Sequence, residues 1–267
     1  MTQPSVDQVR SYYDQFLSDH MLSYRVNGNP RIEKAIEFFT THIRSDDVVI
    51  DVGCGIGIAT EAIARKAKAG TVLGLDLSEQ NIWYANKTIS LPNLSFRCLD
   101  IVSDADAIIP LLPKQPSVIT MCDVLEHIPQ DAVADMFRLY ARIGAPDLKV
   151  LLTFPSGHHL ELLRRESPEK VQIIDNPIFP EFLAREAGHA NLSISYFRVM
   201  DISRHGDYVH CVLERTDALQ DASRRLVDRR LNLRQRLYRK LVRPIVRRSR
   251  RRRYITNIFH SVNASSR

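Results

Sequence analysis

Residues 48–57 read VVIDVGCGIG: a β-branched apolar run, an aspartate, then glycine at every second position, Gly53, Gly55 and Gly57. Valine and isoleucine suit a buried strand, and glycines let the backbone turn tightly and approach a ligand closely. The helical IATEAIARKAKA that follows completes a strand–turn–helix unit. A glycine loop in this place is ambiguous by itself, because dinucleotide-binding folds use one too. The spacing here is D-x-G-x-G-x-G, without the G-x-G-x-x-G that seats a pyrophosphate on a helix N-terminus. Asp51 in front of the loop suits a cationic ligand and would repel a pyrophosphate.

The same unit recurs downstream. GTVLGLDL (70–77) reads as a strand and SEQNIWYANKTI (78–89) as a helix, with Ser78 as N-cap and Glu79 in its first turn. LSFRCLDI (94–101), PSVITMCDV (116–124) and LKVLLTFP (148–155) supply three more strands, and DAVADMFRLYARIGA (131–145) a helix. Near-continuous apolar strands separated by helices predict a parallel sheet covered on both faces. LSISYFRVM (192–200) and DYVHCVLER (207–215), with only DISRHG between them, predict an antiparallel hairpin. The expected fold is therefore α/β: a Rossmann-like, seven-stranded, mostly parallel sheet with an antiparallel last strand. Residues 1–44 form a helical N-terminal cap and 45–215 the core domain, in which 156–180 is an insertion on the substrate side. Residues 216–267 form a basic amphipathic C-terminal extension.

The chain has 267 residues, of which 44% are hydrophobic and 25% charged, the balance of an ordinary globular protein. Cys54, Cys98, Cys122 and Cys211 are scattered and form no C-x-x-C pair, which predicts a reduced, cytoplasmic protein and argues against a disulfide scaffold or a zinc site. The polar, acid-bearing start predicts no secretory leader, and no apolar run approaches the roughly 18 residues that span a bilayer. The formal net charge of +6 hides a division. Between Arg224 and Arg253 lie fourteen arginines, one lysine and one aspartate, a net +14 that leaves −8 on the rest of the chain. Leu226, Leu233, Leu237 and Leu241 make an apolar stripe through this segment, widened by Val227, Tyr238, Val242 and Ile245, up to Pro244 and VRRSRRRR. A basic amphipathic helix of this kind suits an anionic membrane surface. Nucleic acid is the less favoured partner, because Tyr238 and Tyr254 are the only aromatic residues there for stacking on bases. Docking on the acidic body and a nuclear address are the other readings.

Two further acids stand at strand ends. Asp76 closes the second strand, where a carboxylate accepts both hydroxyl protons of a ribose, and Asp100 closes the third, where one can bond an adenine amino group. Each alone reads as a cap or turn residue; three acids at successive strand ends form a pattern. Over about residues 30–215 the sequence resembles the class I S-adenosylmethionine-dependent methyltransferases, on DVGCGIG, on Asp76 in GLDLS, on Asp100 in RCLDI and on CDVLEHI after the fourth strand. The resemblance implies S-adenosylmethionine as cofactor. It implies that Asp51, Gly53, Cys54, Gly55 and Gly57 hold the methionine end, Asp76 with Leu77 the ribose and Asp100 with Ile101 the adenine, with Asp123 at the edge of the same site. The N/D-P-P-Y/F tetrapeptide of DNA amino-methylases is absent here.

Asp123, Glu126 and His127 in TMCDVLEHIPQD (120–131) have three readings. If a helix starts at Val124, Asp123 is its N-cap and Glu126 its third residue, a capping box. His127 is alternatively a general base, the side chain whose ordinary pKa is nearest working pH. In the third reading the trio shares one helical face and Glu126 and His127 bind a divalent metal; E-x-x-E-H resembles the metal cluster of ubiquinone-pathway and small-RNA methyltransferases, with Asp123 replacing the first glutamate. The metal is the less favoured of these. His158 and His159 follow the fifth strand and are candidate substrate-facing or catalytic residues, and Tyr12, Tyr13 and Tyr24 are candidate pocket walls whose bland reading is core packing. An acid–histidine cluster is useful for a hydroxyl acceptor and superfluous for a free amine. The expected activity is therefore O-methylation of a lipid-linked, glycan or small hydroxylated acceptor at the cytoplasmic membrane face. RNA 2′-O-methylation, small-molecule N-methylation and a non-catalytic cofactor-binding subunit are the alternatives.

Overall fold

The computed structural model describes Gln8, Tyr12 and residues 22–101 and 103–227. Contacts divide the chain into two compact units, Met1–Gln220 and Asp221–Arg267. The basic segment beyond Val227, with Leu233, Leu237, Leu241 and Pro244 of the expected stripe, lies outside the described residues, as does Tyr13.

Two helices, α1 (Leu22–Asn27) and α2 (Pro30–His42), precede the sheet. Asn29 caps α2, its side-chain oxygen accepting from the Arg31 N–H, and Pro30 takes the first position, where its missing donor costs nothing. Then follow β1 (Val48–Val52), α3 (Ile58–Lys66), β2 (Thr71–Asp76), α4 (Glu79–Thr88), β3 (Leu94–Cys98), the short α5 (Ala105–Ile108), β4 (Val118–Cys122), α6 (Val133–Ile143), β5 (Lys149–Pro155), α7 (Gly157–Glu166), α8 (Pro180–Gly188), β6 (Leu192–Met200), β7 (Tyr208–Arg215) and α9 (Thr216–Val227). Ser78 caps α4 as expected, accepting from the Asn81 N–H.

The seven strands form one sheet in the order β3-β2-β1-β4-β5-β7-β6. β1 to β5 are parallel, and β7 runs antiparallel to both β5 and β6. Every residue of β1 is buried, the signature of a strand covered on both faces. One face packs Val49, Val72, Val118, Leu151 and Val212 against Phe38 and Phe39 of α2 and Ile63 and Ala64 of α3. The other packs Ile50, Ile119, Met121, Val150 and Leu152 against Phe137 and Tyr140 of α6 and Leu183 of α8. The chain order reverses between β1 and β4, so the segments after these two strands diverge, and a crevice at the carboxyl ends of the strands lies there. No described helix is long and apolar enough to cross a membrane.

Gly57 tests how closely α3 and α4 meet the sheet. Its φ is +81°, and a β-carbon there would sit 2.7 Å from Ile89 Cδ1 and 2.8 Å from Phe96 Cζ. Gly57→Ala combines left-handed strain with overpacking, an expected loss of about 2–5 kcal/mol. Urea unfolding of the variant should show it, and a wild-type midpoint would contradict the packing described.

Candidate active site

The glycine loop is built from behind by Asp51. This carboxylate is 1% exposed, and its two oxygens accept from the Thr60 and Thr120 hydroxyls, each at 2.6 Å. It therefore ties β1 to α3 and β4. Burial pushes its carboxyl up to about 6, against the pull of the two hydroxyls. These two hydroxyl bonds brace the loop from behind, and each Asp51 oxygen keeps a second lone pair.

In front of Asp51 the backbone turns left-handed at Gly53, Gly55 and Gly57, with φ of 67°, 53° and 81°. The Cys54 side chain points away, into a cluster with Ile82, Ala85, Ile89 and Phe96, and its N–H donates to Leu75 O. Asp76 closes the cradle from β2: one oxygen accepts from Gly55 N–H at 2.7 Å, the other from Ser78 N–H at 2.9 Å and from the Asn81 amide at 3.2 Å. Asn81 is 4% exposed, and its Oδ1 lacks a partner among the described residues. An orphaned carbonyl beside the Asp76 carboxylate fits a hydroxylated ribose, and this residue is invisible to sequence motifs. Leu77 follows Asp76, and Asp100 is half-buried at the end of β3. Ile101 sits 4% exposed in the main core, so it forms a hydrophobic floor at that end. The loop, Asp76, Asn81 and Asp100 together fit S-adenosylmethionine.

The segment after β4 lies directly against this loop: a β-carbon on Gly53 would meet Val124 Cγ2 at 2.4 Å. Here one expectation fails. Asp123 does not cap a helix; Val124 occupies the cap position of a single 3₁₀ turn, Leu125–His127, and no side chain caps it. Asp123 instead has φ of +55°, sparsely populated for an aspartate, with its N–H on Thr153 O at 2.9 Å. That geometry turns the carboxylate toward α2, where Arg31 Nη1 lies 3.4 Å from Oδ2 while Oδ1 has no partner among the described residues. Burial raises the Asp123 carboxyl to about 6, against the Arg31 charge. Glu126, 1% exposed, is held well above the usual range by burial and by Asp123.

His127 shares this pocket. Its Nδ1 lies 2.5 Å from the Ile174 carbonyl, which can only accept, so Nδ1 carries the proton and Nε2 the lone pair. Glu126 Oε1 is 3.7 Å from Nε2, and Asp175 Oδ1 is 4.0 Å from Nδ1. Burial lowers the imidazole below its ordinary value despite the Ile174 bond and Asp175. Asp175 belongs to the 156–180 insertion and also raises Tyr12, after burial of that phenol. Arg31 and Asp175 are the residues that motif reading missed. They come from segments with no motif, brought in by α2 and by the loop that bonds back through Asn176 N–H to Glu126 O at 2.7 Å.

The two other histidines stand apart from this cluster in their contacts. His158 is exposed, edge-on to Phe179 at 5.2 Å, and His159 N–H donates to the Ser156 cap of α7. Among the described residues no group of three His, Cys, Asp or Glu side chains converges as a metal-ligand set. A shallow groove of about 530 Å³, lined by Arg198 to Asp201 with His205 and Gly206, shares no residue with the loop or the acid cluster.

Residues 49–147 match the family described as a methyltransferase domain. The ubiquinone biosynthesis O-methyltransferase of Neisseria meningitidis serogroup A is 29% identical over 187 residues, which cover 66% of this chain and 72% of that protein. The protein of the same description from Psychrobacter arcticus is 31% identical over 120 residues, 44% of this chain and 46% of that one. Among solved structures, magnesium protoporphyrin IX methyltransferase of Synechocystis with bound SAH aligns with a TM-score of 0.60 at 18% identity, over 79% of this chain and all of that one. At that identity the likeness is one of fold.

Asp51 makes a pH-dependent contribution to stability with a definite sign. The unfolded carboxyl ionises near 3.8 and the folded one near 6, so the folded state holds the extra proton between these values. Stability through this group falls as pH rises across that window, by about 3 kcal/mol in all. Denaturant unfolding from pH 4 to 7 should show Asp51→Asn gaining on wild type by up to that amount; parallel curves would refute the burial of a charge here.

Proposed function

Taking as its premise that the chain is a class I S-adenosylmethionine-dependent methyltransferase, we propose that it O-methylates a small hydroxylated, glycan or lipid-linked acceptor at the cytoplasmic membrane face. The observation that carries the hydroxyl reading is the His127 tautomer: Nδ1–H held by the Ile174 carbonyl, the lone pair on Nε2, and Glu126 Oε1 alongside.

When bound, S-adenosylmethionine supplies an electrophilic methyl group on a sulfonium. The rest is positioning and proton removal by this chain's own side chains. Asp76, Asn81, Asp100 and the Gly53–Gly57 backbone would hold the cofactor. Asp123 Oδ1 accepts a hydrogen bond from the acceptor, while Arg31 fixes the other oxygen and keeps the carboxylate ionised in a buried setting. His127 Nε2 takes the acceptor's hydroxyl proton, and the resulting imidazolium is stabilised by Asp175 on the Nδ1 side. An amine acceptor would need none of this. The ubiquinone biosynthesis relatives are named as O-methyltransferases, which supports the same choice of atom. The membrane-face part rests on sequence: a segment of net +14 carrying a leucine stripe, in which each cation near an anionic surface contributes about 1 kcal/mol.

His127→Gln should lower kcat by about 10²–10⁴-fold with an unchanged thermal midpoint. In the wild type the acid limb of kcat/KM should lie below pH 6.5, because burial lowers this imidazole, and the variant should lose that limb. A variant with wild-type kcat excludes His127 as the base.

Labelled S-adenosylmethionine incubated with an extract of the source cells, then fractionated, is expected to mark a lipid, glycan or small-molecule hydroxyl. Label in RNA or on nitrogen overturns the acceptor choice. Vesicles rich in anionic lipid should sediment with the full chain and release it as salt rises; indifference to anionic lipid removes the membrane-face part.

A further inference from the structure

Residues 25–31, RVNGNPR, join α1 to α2 and bring two arginines to opposite walls of the crevice at the switch point. Arg25 Nη2 donates to Glu61 Oε2 at 2.8 Å, in the first turn of α3 and just past the glycine loop. Arg31 Nη1 lies 3.4 Å from Asp123 Oδ2, directly after β4. One wall follows β1 and the other follows β4, so the segment between these two contacts crosses the mouth. Tyr24 of α1 lies beside it: Asp123 foremost, and the Tyr24 phenol with it, raise the Arg31 guanidinium against the cost of its burial.

The two helices are anchored very differently. Ala35, Phe38 and Phe39 fix α2 in the core. Among the described side chains of α1, Ser23 to Asn27, none is buried, and Val26 is 82% exposed. Among the described residues, Arg25–Glu61 is the side-chain hydrogen bond that ties α1 to the body. Only Gly28 and Asn29 separate the helices. Gly28 has φ of +77°, its N–H ends α1 on Tyr24 O, and Asn29 caps α2 ahead of Pro30. A two-residue joint that begins with glycine lets α1 turn while α2 stays seated. What lies beneath requires such a turn. Asp123 Oδ1 and Glu126 Oε2 are buried without partners among the described residues, and the His127 side chain is 11% exposed. A ligand reaches these groups only when the mouth opens.

We propose that α1 is a gate over the switch-point crevice, hinged at Gly28–Asn29 and latched by Arg25 on Glu61. Closed, it shuts the glycine loop and the acid cluster away from water, which strengthens every charge interaction inside. With the Arg25–Glu61 bond broken, α1 swings out, ligands enter and S-adenosylhomocysteine leaves. Arg31 keeps its place on Asp123 throughout, because α2 does not move. The gate requires a methyltransferase but does not depend on which atom of the acceptor is methylated.

The test measures association and dissociation of tritiated S-adenosylhomocysteine with the full chain, by rapid filtration. Arg25→Met and Glu61→Gln should each speed both rates by about two- to fivefold, the weight of one partly shielded ion pair. Because a gate acts on entry and exit alike, Kd should change less than either rate. Arg25→Lys, which keeps the charge, should stay near wild type. In hydrogen exchange the amides of residues 23–27 should lose protection in Arg25→Met by the same factor, while those of residues 35–42 hold theirs. The thermal midpoint should not move, since the described side chains of α1 are not in the core. A dissociation rate that rises with Kd at an unchanged association rate makes α1 a ligand contact and overturns the gate. Unchanged rates in both variants overturn it too, as does loss of protection that spreads into α2.

Discussion

A single buried carboxylate holds the switch point of the sheet together. Asp51 ends β1 with both oxygens taken by hydroxyls from α3 and from β4. Without a protein cation on it, the group stays partly protonated near neutral pH, and its hydrogen bonds rather than an ion pair carry the geometry. That geometry fixes where β1 stops, so it fixes where the glycines begin to turn. It also aligns β1 with β4, register Asp51 to Thr120. The cofactor loop and the acid–histidine cluster are the two things these strands deliver, and Val124 packed on Gly53 keeps them in contact.

The acid cluster shows how segments outside the repeating unit become part of the site. Asp123, Glu126 and Asp175 are three buried carboxyls with one guanidinium among them, an arrangement that raises the two acids after β4 and leaves His127 neutral. Arg31 comes from the first turn of α2, and Asp175 comes from the insertion after β5. Both are needed for the electrostatics, and their positions depend on how α2 and the 168–178 loop pack. A left-handed residue at Asp123 is the local strain that aims its carboxylate at Arg31.

Particular residues show why some of this was legible and some was not. The strands were readable because each is a run of apolar residues between turn signals, and the hairpin because only seven residues separate β6 from β7. Asp76 was readable because a lone acid closing an apolar strand stands out. The Asp123 cap was misread because Asp-x-x-Glu is a capping box only where the chain turns helical at the next residue. Here Asp123 instead takes a left-handed φ, with its N–H bonded to β5, and a short 3₁₀ turn follows. Asn81 looks like an ordinary helix residue in sequence, and burial alone sets it apart.

By itself the sequence determined the sheet, its reversal and the cofactor chemistry, because continuous apolar runs, glycine spacing and acids at strand ends are local patterns that backbone sterics and burial translate directly into structure. Only the tertiary structure decided which groups gather beside the glycine loop. Arg31 and Asp175 are 144 residues apart in the chain, and no local rule links them. Their meeting depends on helix α2 lying along the strand ends and on the insertion folding back. The ionisation of the acids and of His127 follows from that packing, through burial and the single guanidinium beside them.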